Sequence, residues 1–293
     1  MSGNKIHIGY PKTATTYLQQ IIFPQLKNHT YINHAKFRGS GLNDLIWKAD
    51  RSVNYEKLKK NYNKNNYFIS FENLVGPYFQ GSIMIDEIPY RLKKIFGDET
   101  RILISIRRQD ELLKSLWIQY VHQGGTINFK NFITNPISGN NRIDLNAYNY
   151  LETYNRYVKV FGKENVKVLP YEFLNYEREK FIKILKDYFQ TEDFNFNNRD
   201  IRNRSMSGYQ IKLLRFFNRF LMSRVSEKYL IPPRIIHQND LRHKWQKSNF
   251  LRVGNTFEAE DLKLSNSILK MYMHSNKELD TIVKLGLSKF EYY

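Results

Sequence analysis

The 293-residue chain contains no cysteine, which excludes a disulfide framework, a thiolate metal site and a cysteine nucleophile together. Absence of cysteine fits a reducing compartment, so a cytoplasmic location is the expectation. Alanine is scarce, 5 residues against 30 asparagines, a bias typical of AT-rich coding that also favours lysine. No apolar run approaches the roughly 20 residues that a membrane-spanning helix needs. The N-terminus, MSGNKIHIGYPK, has no apolar block before its first charges and glycine, so no secretory signal is expected. There is no repeat of fixed period, no heptad pattern and no Pro- or Gly-rich linker, and a single domain over 1–293 is expected. Wholesale disorder is excluded by what is present: 41% hydrophobic residues, including 3 Trp, 21 Tyr and 20 Phe.

The charge is one-sided. Lys and Arg number 46 against 28 Asp and Glu, a formal net charge of +18. Such an excess points to a polyanionic partner, which could be nucleic acid, acidic lipid, a nucleotide or an acidic glycan. Part of it follows from the lysine-favouring composition, but its distribution is uneven. Residues 199–252 hold 13 Lys/Arg and 3 Asp/Glu. This basic, irregular stretch, around 199–258, is expected to cover an active-site cleft, with 223–258 mostly loop.

Hydrophobic periodicity alternates between strand and helix. Lys5–Gly9, Tyr67–Phe71, Arg101–Ile106 and Val166–Pro170 read as short buried strands. Between and after them, Leu18, Ile21, Ile22 and Leu26 mark a helix over Thr15–Leu26. Leu112, Leu113, Leu116, Trp117, Tyr120 and Val121 mark a second. Ala147, Leu151, Tyr154, Val158 and Phe161 mark another, closed by Gly162; Phe181, Ile182, Leu185 and Phe189 mark a fourth. Helical stretches are expected near 207–222 and 261–280. The alternation predicts an α/β fold with a central parallel sheet flanked by helices, whose ligands bind beyond the carboxyl ends of the strands.

The first strand runs directly into GYPKTATT, Gly9–Thr16. Gly9 and Pro11 make a turn with Lys12 at its crest. Thr13 follows, small Ala14 lets a ligand approach the backbone, and Thr15 and Thr16 add hydroxyls to the free N–H groups of a helix start. A Walker loop would place Lys directly after its second glycine, followed by Ser or Thr. Lys12 stands too early for that, so an ATPase, GTPase or P-loop kinase fits poorly. The plainer alternative is an ordinary strand–turn–helix join with a surface lysine.

GYPKTATTYLQ resembles the 5′-phosphosulfate loop of sulfotransferases that use 3′-phosphoadenosine 5′-phosphosulfate (PAPS), with Ala14 where glycine is commoner. SIRRQDELLKSLWIQY, Ser105–Tyr120, resembles the 3′-phosphate element of the same family, in which Arg107 and Ser115 would bind one phosphate. Arg108 competes with Arg107 for that role and could pair with Asp110 instead. VLPYEFL (Val168–Leu174), NRSMS (Asn203–Ser207) and the tail Ser275–Tyr293 are similar to further family segments. LRVGN, Leu251–Asn255, resembles a loop that closes over the 3′-phosphate, making Arg252 a third candidate ligand.

The resemblance implies a P-loop-like three-layer sandwich and PAPS as co-substrate, with no metal or further cofactor. PAPS would be held by Pro11, Lys12, Thr13, Ala14, Thr15, Thr16, Arg107, Ser115 and Arg252. Sulfuryl transfer is chiefly positioning and charge neutralisation, which gives Lys12 the leaving phosphate. The acceptor hydroxyl also needs a base. ISFENL, Ile69–Leu74, resembles the glutamate element of glycan sulfotransferases of the heparan type and makes Glu72 the catalytic base. The alternatives are that Glu72 merely starts a helix, or that His34 or His122 serves instead. Neither histidine has neighbours with metal-ligand spacing.

The expected acceptor is the hydroxyl of a carbohydrate, such as a bacterial surface polysaccharide or glycolipid. A lipid, steroid or phenol is the alternative, since the many aromatics could line an apolar pocket. Nucleic-acid binding through the positive charge and interleaved aromatics is the non-enzymatic alternative. It would not need the anion loop. No integral membrane segment is expected, and the basic face leaves room for a peripheral membrane contact.

Overall fold

A computed structural model describes residues 3–26, 29–64, 66–77, 84–134, 143–190, 206–222, 230 and 254–293. The chain packs as two compact units. The first comprises Met1–Arg108, Asp144–Asn198 and Tyr272–Tyr293; the second comprises Gln109–Ile143 and Arg199–Met271.

The first unit is built on a five-stranded parallel sheet of β1 (Lys5–His7), β2 (Thr30–Ile32), β3 (Tyr67–Ser70), β4 (Arg101–Ile106) and β5 (Val166–Pro170), in the order β2-β3-β1-β4-β5. Central β1 is paired with β3 in the register His7↔Ser70 and with β4 in the register His7↔Leu103. On the other side of β4, Ser105 pairs with Leu169 of β5. The four strands read from the apolar runs are all present. β1 and β3 stop short of Gly9 and Phe71, although backbone bonds continue past their ends: Ile8 N–H donates to Leu103 O (2.9 Å), Tyr10 N–H to Ser105 O (3.0 Å) and Phe71 N–H to His7 O (3.2 Å).

Side chains alternate across the sheet, so each strand gives one parity to each face. Phe68, Leu103 and Leu169 point into a buried cluster with Leu18, Ile22 and Phe23 from the helical segment 15–25 (α1) and with Leu26 just after it. Phe181, Leu185, Tyr188 and Phe189 of the helix Arg178–Phe189 complete that layer. The opposite parity, with Ile69, Ile102, Ile104 and Val168, is equally buried. The helix Tyr150–Phe161 packs against β4 and β5, and the helix Glu87–Phe96 packs against it. Gly162, at φ 83°, closes the Tyr150–Phe161 helix in a conformation that side chains resist.

The segment read as one helix over Thr15–Leu26 is irregular. It opens as a single α-turn, widens to i→i+5 bonding over Leu18–Ile22 and tightens over Phe23–Gln25. Pro24 lies in that last turn, where it contributes no N–H to a continuing ladder.

The second unit holds the helices Gln109–His122 (α2), Phe129–Thr134 and Gly208–Phe217 (α3), with the first part of Ala259–Val283. Ser207 and Gln210 form a reciprocal capping box at the start of α3. Asn218 Nδ2 donates to the Val121 and Gly125 carbonyls at 2.8 and 2.9 Å. Trp117, Phe129 and Phe257 pack with ring centroids 5.3–5.9 Å apart. Among the described residues, no helix is long and apolar enough to cross a membrane.

Candidate functional site

Three chain segments leave the carboxyl ends of β1, β3 and β4 and carry the groups of the candidate site. Gly9–Thr16 follows β1, Glu72 follows β3 by two residues, and Arg107 follows β4 directly. Their common position comes from the parallel sheet, in which ligand sites form outside the carboxyl edge beside a central strand.

The loop after β1 is tightly bent. Lys12 (φ 66°) and Ala14 (φ 59°) both adopt the left-handed conformation. For a residue with a Cβ this costs about 1–2 kcal/mol, so two such residues within three positions mark a backbone shaped for something other than stability. Thr13 is buried, and its hydroxyl donates to Tyr10 O at 2.6 Å, closing the turn beneath Lys12. Ala14 precedes the first helical turn, and no side chain caps it. Buried Thr15 donates its hydroxyl to Glu72 Oε1, so that hydroxyl joins two loops. Thr16 is exposed.

Lys12 interacts electrostatically with both Glu72 and Arg107. Protein atoms crowd the Lys12 ammonium, although the residue reaches solvent. This desolvation lowers its pKa, Glu72 pulls it back up, and Arg107 lowers it further. Burial raises the Glu72 pKa, against the Thr15 hydrogen bond and Lys12, which both lower it. Glu72 is also the first residue of the one-turn helix Glu72–Val75, so it starts a helix while facing the loop. A carboxylate held above its usual pKa is better matched to accepting a proton near neutral pH.

Arg107 Nη1 donates to the Lys12 carbonyl at 3.2 Å, and its guanidinium lies 4.9 Å from the centroid of the Tyr171 ring. Arg108 is oriented differently. Its side chain pairs with Glu291 at 2.6 Å, and its backbone N–H donates to buried Glu172 Oε1 at 2.9 Å. The other Glu172 oxygen accepts from the Tyr292 hydroxyl at 2.8 Å, so the turn after β4 is braced by the C-terminal tail. Burial raises the Glu172 pKa, opposed by the Arg108 N–H and the Tyr292 hydroxyl. Sequence reading missed this brace, and only the aromatic character of the tail hinted at it.

Ser115 stands partly buried on α2, in the second unit. Arg252 lies outside the described residues, as do most of the basic stretch and Asn203–Ser205. Of its described charges, Lys212 pairs with Glu258 at 2.7 Å, and Arg215 donates to the Thr126 carbonyl at 3.2–3.3 Å. His34 is exposed and stacks on Phe71, with centroids 4.9 Å apart. His122 sits 2.9 Å from Met206 Sδ. Among the described residues, no cluster of three or more His, Asp or Glu could hold a metal ion. A groove of about 530 Å³ passes Gly41, Asp44, Lys48, Asn54, Lys57 and Tyr62, none of them among the loop, Glu72 or Arg107.

The chain superposes on a sulfotransferase from Alicyclobacillus acidocaldarius with a TM-score of 0.53, over 99% of this chain and 98% of that one, at 13% identity. It therefore has the P-loop-like α/β fold of that enzyme; at 13% identity the likeness is one of fold. A mouse sulfotransferase complexed with PAP gives a TM-score of 0.47 at 11% identity, covering 98% of this chain and 90% of that one. A sulfotransferase domain from the curacin biosynthetic pathway gives 0.41 at 10%, covering 92% and 98%. No family model matches the chain, and no curated protein sequence does.

Proposed function

We propose that the chain is a PAPS-dependent sulfotransferase that moves the sulfuryl group to a hydroxyl of a carbohydrate acceptor. The observation that carries this reading is a lysine at the crest of a strained loop after β1, with Glu72 hydrogen-bonded to that loop and Arg107 donating to its backbone. It sits on a sheet whose fold is shared with a sulfotransferase. The loop after β1 takes the 5′-phosphosulfate, with Pro11, Thr13, Ala14, Thr15 and Thr16 beside Lys12 forming its cradle. Arg107 supplies a charge for the 3′-phosphate, with Ser115 and Arg252 as further ligands.

The acceptor oxygen attacks sulfur in line, and the bond from sulfur to the bridging oxygen of the 5′-phosphate breaks. Glu72 takes the hydroxyl proton. Lys12 neutralises the negative charge that collects on the leaving phosphate, where a fixed cation contributes most. Lys12 and Glu72 thus serve opposite ends of one displacement, and the attraction between them opposes the burial that shifts each towards its neutral form. The carbohydrate acceptor rests on the resemblance of ISFENL to the glycan enzymes.

The test is transfer of labelled sulfuryl from PAPS to a panel of sugars, lipids and phenols, run with the native protein and with Glu72→Gln. Transfer to sugars, reduced roughly 10²–10⁴-fold in Glu72→Gln, is the expected result. Transfer only to phenols or lipids would reassign the acceptor, and undiminished turnover in Glu72→Gln would remove the base.

A further inference from the structure

His7 is the last residue of central β1 and is fully buried, yet it takes no part in the displacement. Its Nδ1 lies 2.8 Å from Ser70 Oγ on β3, and its Nε2 lies 2.7 Å from Ser105 Oγ on β4. One imidazole thus spans three adjacent strands. The spacing is the same in each strand: His7 precedes Gly9 by two residues, Ser70 precedes Glu72 by two, and Ser105 precedes Arg107 by two.

The ring is also pressed against the loop from below. A Cβ placed on Gly9 would fall 2.8 Å from His7 Cε1 and 2.8 Å from Thr15 Cγ2, so only glycine lets the chain turn there. Phe23 meets the ring edge-on at 5.1 Å, and Gln19 donates to Ser70 Oγ at 3.0 Å, fixing that hydroxyl from the α1 side. A neutral imidazole has one donor and one acceptor, and serine hydroxyls can complement either, so the chain Ser70–His7–Ser105 can be fully satisfied.

We propose that His7 is a positioning residue that, through Ser70 and Ser105, locks the three strand ends carrying the Lys12 loop, Glu72 and Arg107 into one register. The proposal rests on the sulfotransferase reading for the roles of those three groups. The two links are distinct. The Ser70 link governs where Glu72 stands and therefore turnover. The Ser105 link governs where Arg107 stands and therefore hold on the nucleotide. A residue needed only for folding would affect both together.

Four variants separate the links. Ser70→Ala and Ser105→Ala each delete one hydroxyl with little change of shape. His7→Gln places an amide atom where Nε2 stood and keeps the Ser105 link, whereas His7→Asn places one where Nδ1 stood and keeps the Ser70 link. Turnover at saturating PAPS, affinity for adenosine 3′,5′-bisphosphate and melting temperature are measured for each. Ser70→Ala and His7→Gln should lose turnover about fivefold or more, and Ser105→Ala and His7→Asn should lose affinity by a similar factor, the effect of one ordinary hydrogen bond. In each variant the other quantity should move by less than about half as much on a logarithmic scale.

Parallel losses in both quantities, or changes that track melting temperature alone, would overturn the proposal. So would four variants that all behave like the native protein. Should the native protein bind no adenosine 3′,5′-bisphosphate, the sulfotransferase reading fails. The brace is then judged by amide exchange over Tyr10–Thr16, which should quicken at least about fivefold in all four variants, and unchanged exchange would reject it.

Discussion

His7→Gln removes a titrating group from the middle of the sheet, and its effect on acid stability can be worked from burial. Desolvation lowers the His7 pKa from 6.5 to about 3. Above pH 6.5 the ring is neutral in both folded and unfolded chains, and the full stability is present. As the pH falls towards 3, the unfolded chain takes up a proton that the folded chain refuses, and stability is lost across that window. One proton corresponds to about 1.4 kcal/mol per pH unit, so at about pH 4.5 the native protein should have lost about 2.7 kcal/mol through this residue. Glutamine does not titrate. Glu72 and Glu172, whose raised pKa values act with the opposite sign, are present in both proteins and cancel in the difference. Urea unfolding at several pH values between about 7 and 4.5 should give a native-minus-variant stability difference that falls by that amount as the solution is acidified. Curves that stay parallel to within about 0.5 kcal/mol would show that the buried ring does not resist protonation, and the reasoning would fail.

Arg107→Ala should weaken binding of adenosine 3′,5′-bisphosphate by about 1.5–3 kcal/mol in a calorimetric titration, the value of a charge-assisted contact. Arg108→Ala, which loses an ion pair with the exposed Glu291, should change that affinity by less than about 1 kcal/mol, and the reverse ranking would move the phosphate ligand one residue along the chain. Ala14→Gly should raise stability by up to about 1 kcal/mol in chemical denaturation, because glycine adopts the φ of 59° found there without a Cβ penalty. A destabilised Ala14→Gly protein would mean that the loop's bend is not strained at this position.

The sheet was legible because β3 (YFIS) and β4 (RILISI) are mostly apolar, as strands buried on both faces must be, while β5 (VKVLP) keeps Val166, Val168 and Leu169, and β1 (KIH) shows through Ile6 and Ile8 before the turn. β2 was not, since TYI is three residues at the sheet's edge with Thr30 exposed and leaves no run to see. The helix Tyr55–Asn61 buries only Leu58, so YEKLKKN carries no periodicity. Glu87–Phe96 was missed although Ile88, Leu92, Ile95 and Phe96 stand at helical spacing with Pro89 in the first turn, the signature of a helix start. Lys12, Glu72 and Arg107 could be found because each lies beside a strand end that the apolar runs had located. The contacts that hold Arg108 could not, since Glu172 and Glu291 lie 64 and 183 residues away and pair only once the chain is folded. The His7 brace did leave a trace, a polar residue two positions before Gly9 at the start of the Lys12 loop, before Glu72 and before Arg107. A histidine inside a strand reads equally well as core packing, so the trace carries weight only when the register is known.

Sulfuryl transfer from PAPS requires a site that recognises a nucleotide with phosphates at both the 3′ and 5′ positions, and the most direct measurement compares two nucleotides. Melting of the native protein should be followed with adenosine 3′,5′-bisphosphate and, separately, with ATP at equal concentration. A ligand at 100 times its dissociation constant stabilises the fold by about 2.7 kcal/mol, enough for a shift of several degrees. The bisphosphate should produce that shift and ATP, lacking the 3′-phosphate, much less. Equal stabilisation by ATP, or none by the bisphosphate, would contradict a PAPS site built from the Lys12 loop and Arg107.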